Sequence, residues 1–304
     1  MKPWSRALPW ITLGIVYVVW GSTYLGIRVA VATIPPYLMT GARYLIAGSC
    51  IFALQWFTSK RRPPMPTREE LLRVSVVAIL LIVIGNGLLC VAETRVESGT
   101  SALLLASTPI WMVLFDAARA RTTPSALAIA GVILGTIGIV ALVGRGAGHA
   151  DLLYAGTIMV ASISWALGSV YARGMEHRPT TASLEMVVGG AIALAVGLLA
   201  GESRQFAFQT ITAASLWGML WLITAGSMLG YSAYAFAVRT LPTATVATTG
   251  YVNPMIAVLL GALLLREAVT WNVLAGGATI VASVILILLG SRTERDAPPS
   301  PEEI

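Results

Sequence analysis

The sequence predicts an all-α membrane protein with ten transmembrane helices, arranged as two five-helix units that enter the membrane from opposite faces. Three observations support this prediction: an apolar composition, ten apolar segments of spanning length, and a sequence repeat at a constant offset. Of the 304 residues, 57% are hydrophobic and only 11% are charged, and the mean hydropathy is +0.80. Soluble domains normally carry about 25% charged residues, so this composition indicates long apolar segments.

The apolar residues form ten segments, each long enough to cross a bilayer as a helix. The segments cover residues 10–32, 36–57, 71–92, 98–118, 124–143, 152–172, 181–200, 214–236, 243–265 and 270–290. A spanning helix needs about 20 apolar residues, and backbone groups in lipid must be hydrogen-bonded within the chain, which favours helices. The first segment precedes further spans and lacks a persuasive cleavage site, so we expect it to be retained as a helix.

Basic residues between the segments predict the orientation of the chain. When the gaps are assigned alternately to two sides, 14 Lys and Arg residues fall on the side of the N-terminus and 4 on the other. The positive-inside rule then places both termini in the cytoplasm of a bacterial inner membrane. Residues 1–9 form a short cytoplasmic N-terminus, and the charged, Pro-rich residues 291–304 are predicted to be a disordered cytoplasmic tail. This orientation accounts for the net charge of +6, so no nucleic-acid partner is expected.

The sequence also repeats itself at an offset of 145 positions (165 − 20), which is the separation of Trp20 and Trp165. The same offset aligns six further identical pairs, namely Arg28 with Arg173, Gly85 with Gly230, Ala92 with Ala237, Ala102 with Ala247, Pro109 with Pro254 and Gly131 with Gly276. The repeat predicts five-helix units at 10–148 and 149–290. Because five is odd, the second unit must be inverted, an architecture typical of secondary transporters whose substrate site lies between the repeats near the midplane.

Six segments, in this order, also carry a resemblance to a known family. They read WGSTYLGIR (20–28), PPYLMTGARYLIAG (35–48), GNGLLCVAE (85–93), SGTSALLLASTPIW (98–111), SISWALGSVYARG (162–174) and ATVATTGYVNPMIAVLLGALLLRE (244–267). Together they resemble an EamA-type member of the drug/metabolite transporter superfamily, in its YedA-like branch, over roughly residues 10–290. The resemblance implies a ten-helix basket of two inverted EamA repeats that moves metabolites or drugs, usually outward. Glu267 departs from the repeat, because the equivalent position holds Thr122.

Two prolines inside spans four and nine mark a candidate substrate site. Pro109 and Pro254 are equivalent, and a proline removes a backbone donor, frees a carbonyl one turn earlier and bends its helix. The polar residues expected beside these bends are Ser107, Thr108, Trp111, Tyr251 and Asn253. Freed carbonyls and polar side chains on paired helices can bind a substrate at the midplane. The alternative is that the prolines only shape the packing of the helices.

Aromatic residues and one amide extend this candidate cavity. Trp20 and Trp165 fall near the middle of their spans, although tryptophan prefers the membrane interface, so they either fill the core or line the cavity. The tyrosines that would extend an aromatic lining are Tyr24, Tyr231 and Tyr234. Asn86, flanked by two glycines that allow close helix contact, either lines the cavity or hydrogen-bonds a neighbouring helix.

Three charged residues lie within or at the ends of the first three spans. Arg28, Arg43 and Glu93 are all expected near the outer surface, where they could meet at a vestibule. Charges at such depths are costly, and they tend to mark transport pathways or paired structural sites. Two interpretations therefore stay open for these residues: coupling or gating of transport, and a structural ion pair.

The leading hypothesis from these patterns is a secondary transporter that exports small molecules, such as amino acids or amphipathic compounds. A passive channel-like permease is the alternative, and a membrane-embedded enzyme is less favoured because such chemistry needs convergent nucleophiles, acid pairs or metal ligands in the membrane. The two histidines, His149 and His177, both fall in loops, and the chain lacks the nucleotide loop of a primary pump. No catalytic residue, metal or cofactor is therefore predicted. Protons are a candidate coupling ion, and the substrate and oligomeric state stay open.

Overall fold

The chain forms a bundle of ten apolar helices within residues 4–59, 66–121, 123–143, 149–175, 178, 180–241, 243–246 and 248–296, which are the residues described by the computed structural model. The helices are α1 (Trp4–Ala30), α2 (Pro36–Thr58), α3 (Arg68–Ala92), α4 (Ser98–Leu105 and Thr108–Ala120), α5 (Ala126–Val143), α6 (His149–Ala172), α7 (Thr181–Leu199), α8 (Ala213–Trp221, Leu222–Leu229 and Gly230–Thr240), α9 (Thr249–Leu264) and α10 (Trp271–Asp296). Three short helical turns, Glu202–Gln205, Phe208–Thr210 and Thr243–Val246, lie in the connections.

Eight of these helices are long and apolar enough to cross a membrane, whereas α5 and α9 are shorter apolar helices. The helices correspond to the ten predicted segments, and the largest differences lie at the start of α9, which begins at Thr249 and not at 243, and at the two ends of the chain. The first helix already begins at Trp4, within the predicted N-terminal segment 1–9. The last helix continues to Asp296, so residues 291–296 of the predicted tail are helical, while residues 297–304 lie outside the described part of the chain.

Prolines and short polar side chains determine where several helices begin. Pro36 is the first residue of α2, where its missing N–H would have no intrahelical partner. Thr67 precedes α3 in a capping box, because its hydroxyl accepts from the Glu70 N–H and the Glu70 carboxylate accepts from the Thr67 N–H. At the start of α8, the Thr212 hydroxyl accepts from the Ser215 N–H at 3.2 Å.

The two halves of the chain pack against each other through equivalent pairs of helices. Helix α2 lies along α7, and α5 lies along α10. Helix α1 packs on α8 and α9, just as its equivalent α6 packs on α3 and α4. Close contacts at glycines allow this packing: a Cβ atom at Gly41 or Gly190 would lie 2.5 or 2.4 Å from the backbone of the facing helix. The contacts between helices therefore follow the repeat that is visible in the sequence.

Two unusual backbone features recur in both halves. A π-helical segment of eight residues interrupts α3 at Ile79–Asn86 and α8 at Leu222–Leu229. Arg121 after α4 and Arg266 after α9, which are 145 positions apart (266 − 121), both have a positive φ, of 52° and 57°. Non-glycine residues rarely adopt this left-handed conformation, so its recurrence reflects the same local fold in the two halves.

Polar contacts define two ends of the bundle and the directions of the helices. At one end, called the Arg178 end, Arg178 in the connection from α6 to α7 pairs with Glu70 in the first turn of α3 at 2.6 Å. At the other, called the Glu93 end, Arg28 near the end of α1 donates to the backbone oxygen of Glu93 directly after α3. Helix α1 thus ends where α3 ends, and α6 ends where α3 begins. The equivalent helices α1 and α6 therefore run in opposite directions, as an inverted repeat requires.

Candidate functional site

Each half of the protein places a tryptophan against a glycine of the other half. A Cβ atom at Gly230 of α8 would lie 2.5 Å from Nε1 of Trp20, and one at Gly85 of α3 would lie 2.3 Å from Cδ1 of Trp165. Both glycines lie within or directly after the π-helical segments. π-Helical segments are rare in proteins, and those that do occur often lie at functional sites. The two equivalent tryptophans therefore meet α8 and α3 at the irregular parts of these helices.

The two indole N–H groups differ in their partners. Trp20 Nε1 donates to the backbone oxygen of Gly226 at 3.2 Å, and its ring packs on Tyr234 with the ring centroids 4.8 Å apart. Trp165 Nε1 is buried and has no hydrogen-bond partner among the described residues. Trp20 is therefore tied to α8, whereas the N–H of Trp165 is available to a ligand.

The polar residues around Pro109 form a contact between α4 and α6. Helix α4 is interrupted between Leu105 and Thr108, directly before Pro109. The hydroxyl of Ser162 on α6 lies 3.0 Å from that of Ser107 and 3.1 Å from that of Thr108. Ser107, Thr108 and Pro109 were site candidates from the sequence, whereas Ser162 was not.

Two further predicted site residues have buried polar atoms without partners in the described part of the chain. These atoms are Nε1 of Trp111 on α4 and Oδ1 of Asn253 on α9. Asn253 occupies the position equivalent to Thr108 (253 − 108 = 145) and directly precedes Pro254, which lies inside α9. Buried polar groups in proteins are nearly always hydrogen-bonded, so each of these atoms is expected to bind a water molecule or a ligand.

The remaining predicted lining residues are distributed over different parts of the core. Tyr24 packs against a cluster that includes Ile27 and Leu104, whereas Tyr231 packs against a second cluster that includes Tyr44 and Met186. Tyr251 is half-buried at the start of α9. Tyr24 and Tyr231 therefore belong to different clusters and do not form one aromatic wall, whereas Tyr234 packs on Trp20, another predicted lining residue.

Asn86 makes a local hydrogen bond within α3. Its Nδ2 donates to the backbone oxygen of Leu81 at 2.9 Å, five residues earlier in the π-helical segment. The side chain is buried, with an exposed fraction of 7%. This bond lies within one helix, so it is not the bond to a neighbouring helix that the sequence offered as one alternative, and the lining role of Asn86 stays a prediction.

A cavity of about 690 Å³ lies between α3, α4 and α6 at the Arg178 end. Its lining residues are Arg73, Leu80, Phe115, Arg119, Leu167, Val170, Tyr171, Gly174 and Met175. Phe115 and Arg119 follow Trp111 at spacings of four residues, so all three lie along one face of α4. The volume is within the roughly 300–1,000 Å³ that small-molecule sites occupy. The cavity therefore lies at the Arg178 end, and its lining includes neither Trp111 nor another predicted site residue.

The three predicted intramembrane charges meet different partners. Arg28 donates to the backbone oxygen of Glu93, whereas Arg43 donates to the Ser227 hydroxyl at 3.0 Å and lies over the Tyr44 ring at 4.7 Å. Glu93 is fully buried, and its carboxylate oxygens have no partner among the described residues. Arg28 thus contacts the backbone directly after α3, and Arg43 contacts helix α8. Neither arginine forms a salt bridge with Glu93 within the described residues.

Two glutamates that were not site candidates bind the starts of helices at the Glu93 end. Glu202, after α7, accepts from the N–H groups of Tyr37 and Leu38 at 3.1 and 2.9 Å. Glu267, after α9, accepts from the N–H groups of Ser98 and Gly99 at 2.8 and 3.1 Å and from the Ser98 hydroxyl. Carboxylates stabilise helix N-termini, so these contacts join the halves at this end. In the sequence, Glu267 differs from its equivalent in the first half, which is Thr122, and this difference was the signal that distinguished it.

Comparisons with known proteins agree with this architecture. A model of the EamA-like transporter family matches residues 8–144 and again residues 152–289. The chain is 33% identical over 277 residues to the "Uncharacterized inner membrane transporter YedA" of Escherichia coli strain K12, covering 90% of this chain and 88% of that protein. It is 25% identical over 303 residues to the "Probable amino-acid metabolite efflux pump" of Salmonella typhimurium, covering 93% and 95%. A solved crystal structure with 16% identity has a TM-score of 0.63 over 93% of this chain and 98% of that chain.

Two inverted halves of apolar helices, with polar groups buried between them, define a multi-pass membrane transporter. The chain belongs to the EamA-like transporter family, because the family model covers most of its length in two copies. The resemblance to this family and to its YedA-like branch, inferred from the sequence segments, is confirmed.

Proposed function

We propose that the protein is a secondary transporter of the bacterial inner membrane, with ten spans and both termini in the cytoplasm, that exports small metabolites or drugs by alternating access. Amino acids and amphipathic compounds are the substrate classes under this proposal. The name of the Salmonella relative, which refers to amino-acid metabolites, supports the first class. The excess of Lys and Arg on one side supports the orientation, and under this proposal the Arg178 end faces the cytoplasm.

The observation that carries the proposal is the set of unpartnered polar atoms on helices from both halves. Trp111 Nε1 and Trp165 Nε1 are donors, Asn253 Oδ1 is an acceptor, and all three are buried without a partner in the described residues. Burying a polar group without a hydrogen bond costs about 1–3 kcal/mol in proteins. A substrate that supplies the missing partners would recover this free energy. The proposed lining comprises Trp20, Tyr24, Asn86, Thr108, Trp111, Trp165, Tyr231, Tyr234, Tyr251 and Asn253, with Pro109 and Pro254 shaping the helices.

The two ends of the bundle differ, and this difference favours alternating access rather than a continuous channel. The cavity between α3, α4 and α6 lies at the Arg178 end. At the Glu93 end, Glu202 and Glu267 bind helix starts of the first half. An exporter loads substrate from the cytoplasm, and a cavity on that side with contacts closing the other side fits the loading state.

Arg28, Arg43 and Glu93 are proposed to couple or gate transport at the Glu93 end. A fully buried carboxyl group without hydrogen-bond partners is costly when charged, so Glu93 would respond strongly to water entering from this end. Protons are the candidate coupling ion, because a carboxyl group can bind one when the site is dry and release it when the site is hydrated.

Flux measurements on purified protein in liposomes test the proposal. A panel of amino acids and amphipathic dyes is offered outside vesicles loaded with the same unlabelled compound. A carrier shows saturable uptake that the trans compound accelerates, whereas a channel shows linear flux without acceleration. A panel in which no compound is transported would refute the proposed function, and linear flux would refute alternating access.

The variant Asn253→Leu tests the site itself. We expect flux to fall roughly 2- to 10-fold, as for the loss of one hydrogen bond, while the thermal midpoint stays equal or rises because an unpartnered buried atom is removed. Asn272→Leu is the matched control, since Asn272 is exposed at the start of α10. Unchanged flux in a folded Asn253→Leu protein would place the site elsewhere.

A further inference from the structure

The cavity between α3, α4 and α6 opens onto the outer surface of the bundle. Four large hydrophobic side chains of α6 are exposed, in order toward the Arg178 end Leu153, Val160, Leu167 and Tyr171. Their spacings of seven, seven and four residues place them on one face of the helix. Leu167 and Tyr171 also line the cavity. The cavity is therefore one end of a face of α6 that is exposed along most of the helix.

This exposed face of α6 is suited to contact with lipid and points away from the proposed substrate site. An exposed apolar surface on a chain with spanning helices marks contact with the membrane. Gly156 on the same face leaves a gap, because a Cβ atom there would meet nothing within 4 Å. Trp165, which packs on Gly85, precedes Leu167 by two residues and is therefore about 200° away around the helix. The cavity is thus separate from the proposed contact of Trp165 with substrate.

The mouth of the cavity carries positive charge. Ion pairs between described residues at this end join Arg73 to Glu69, Arg178 to Glu70 and Arg173 to Asp116. Arg119, in the last turn of α4, also lines the cavity and is exposed, and it has no ion pair among the described residues. Its Nη2 atom lies 3.9 Å from the place of a Cβ atom at Gly174, another lining residue. A cation at the mouth of a cleft attracts anions, so Arg119 can bind one.

We infer that the cavity binds an anionic phospholipid, with the phosphate at Arg119 and an acyl chain along the exposed face of α6. A guanidinium group binds phosphate oxygens through paired hydrogen bonds, and basic pockets between spanning helices bind anionic lipid headgroups. The apolar walls of the cavity include Leu80, Phe115, Leu167 and Val170. A free anion would leave these walls uncovered, whereas a neutral lipid would leave Arg119 without a counterion.

The lipid site goes beyond the proposed function, because lipid binding is measured without transport. A cavity of about 690 Å³ has room for the headgroup and the adjoining part of one acyl chain, and the rest of that chain lies along α6. A lipid in this position keeps α3, α4 and α6 apart at the Arg178 end. Its presence is therefore compatible with the proposed loading state.

Thermal unfolding of the purified protein in detergent tests the lipid site. Phosphatidylglycerol, phosphatidylcholine with the same acyl chains, and inorganic phosphate are titrated separately, and the rise of the thermal midpoint gives an apparent affinity for each. We expect phosphatidylglycerol to raise the midpoint by at least about 5 °C at roughly 100 times its dissociation constant, as for a ligand that binds only the folded state. The neutral lipid and the free phosphate should each raise it much less.

Two variants with matched controls locate the site. Arg119→Gln should weaken the apparent affinity for phosphatidylglycerol by about tenfold or more, as for a lost bond to a charged group. Arg68→Gln is its control, because Arg68 is an exposed arginine at the same end that does not line the cavity. Leu167→Trp fills the cavity without changing the charge and should also weaken binding. Leu153→Trp is its control, because Leu153 is 69% exposed on the same face of α6 but far from the cavity.

Several outcomes would overturn the inference. Equal shifts with the two lipids would show that lipid only solvates the bundle, and an equal shift with inorganic phosphate would show a site for a free anion. Equal losses of affinity in Arg119→Gln and Arg68→Gln would show attraction by the overall charge of this end. Unchanged affinity in Leu167→Trp would place the lipid elsewhere, and this variant decides the question if Arg119→Gln does not fold.

Discussion

The fit of each tryptophan against its glycine gives a sharp test of the inverted architecture. Gly85→Ala adds a methyl group at 2.3 Å from Cδ1 and 2.6 Å from Nε1 of Trp165, and Gly230→Ala adds one at 2.5 Å from Nε1 of Trp20. Ordinary contacts between such atoms are about 3.5–4.0 Å. The indole ring or the helix must therefore move by about an ångström in either variant.

The size of the expected loss of stability follows from a comparison with glycines in open positions. Gly14 and Gly156 lie in α1 and α6, the helices of the two tryptophans, and a Cβ atom there would meet nothing within 4 Å. In all four variants, alanine has a higher helix propensity than the glycine it replaces, which stabilises the helix by roughly 1 kcal/mol. In Gly85→Ala and Gly230→Ala, the added methyl group also overpacks the contact, which lowers the free energy of unfolding by about 1–3 kcal/mol. The free energy of unfolding should therefore be lower by about 1–3 kcal/mol in Gly85→Ala than in Gly156→Ala, and in Gly230→Ala than in Gly14→Ala.

Thermal unfolding of the purified protein in detergent measures this difference. At roughly 2–4 °C per kcal/mol, the midpoints of the overpacked variants should lie about 2–12 °C below those of their controls. Gly85→Ala should also reduce transport, because it displaces the Trp165 ring from the proposed site. Equal midpoints for Gly85→Ala and Gly156→Ala would refute the close contact between α3 and α6, and with it the equivalence of the two halves.

Two further predictions concern acids at the Glu93 end. Glu267→Gln replaces the carboxylate that accepts three hydrogen bonds from Ser98 and Gly99, so the midpoint should fall by an amount that corresponds to about 1–3 kcal/mol. Glu97→Gln should not lower it, because Glu97 makes no cap bond to α4, and equal midpoints would contradict a closing role for Glu267. Glu93→Gln should abolish uptake driven by a proton gradient and retain exchange, because an amide cannot release a proton; parallel loss of both modes would assign Glu93 a structural role instead.

The positions of the helices and the family could be predicted because they depend on local and repeated patterns. Apolar segments of spanning length predicted where ten helices lie, and identical residues at one offset predicted two equivalent units. Six segments in a fixed order were specific enough to indicate the EamA family. The irregular parts of these helices could not be predicted, since the π-helical segments at Ile79–Asn86 and Leu222–Leu229 leave no mark in the hydrophobic pattern.

Among the candidate site residues, the sequence selected Trp111, Trp165 and Asn253. Nε1 of each tryptophan and Oδ1 of Asn253 are buried without partners in the described part of the chain. It could not show that Asn86 bonds within its own helix, nor that Arg43 reaches Ser227 on α8. It also gave no reason to select Ser162 or Glu202. These contacts join residues from distant parts of the chain, and residue type alone does not show which of several donors and acceptors will meet.

The sequence by itself therefore determined the class of the protein, the number of apolar helices and the equivalence of the two halves, because hydrophobic length and repetition act residue by residue along the chain. Only the tertiary structure decided how the equivalent residues differ. Trp20 and Trp165 are the same residue at the same point of the repeat, yet the Trp20 N–H donates to Gly226, whereas the Trp165 N–H has no partner among the residues that the structure describes. The physical reason is that each indole lies against a helix of the other half, and the donors and acceptors that meet there come together only once the helices are packed.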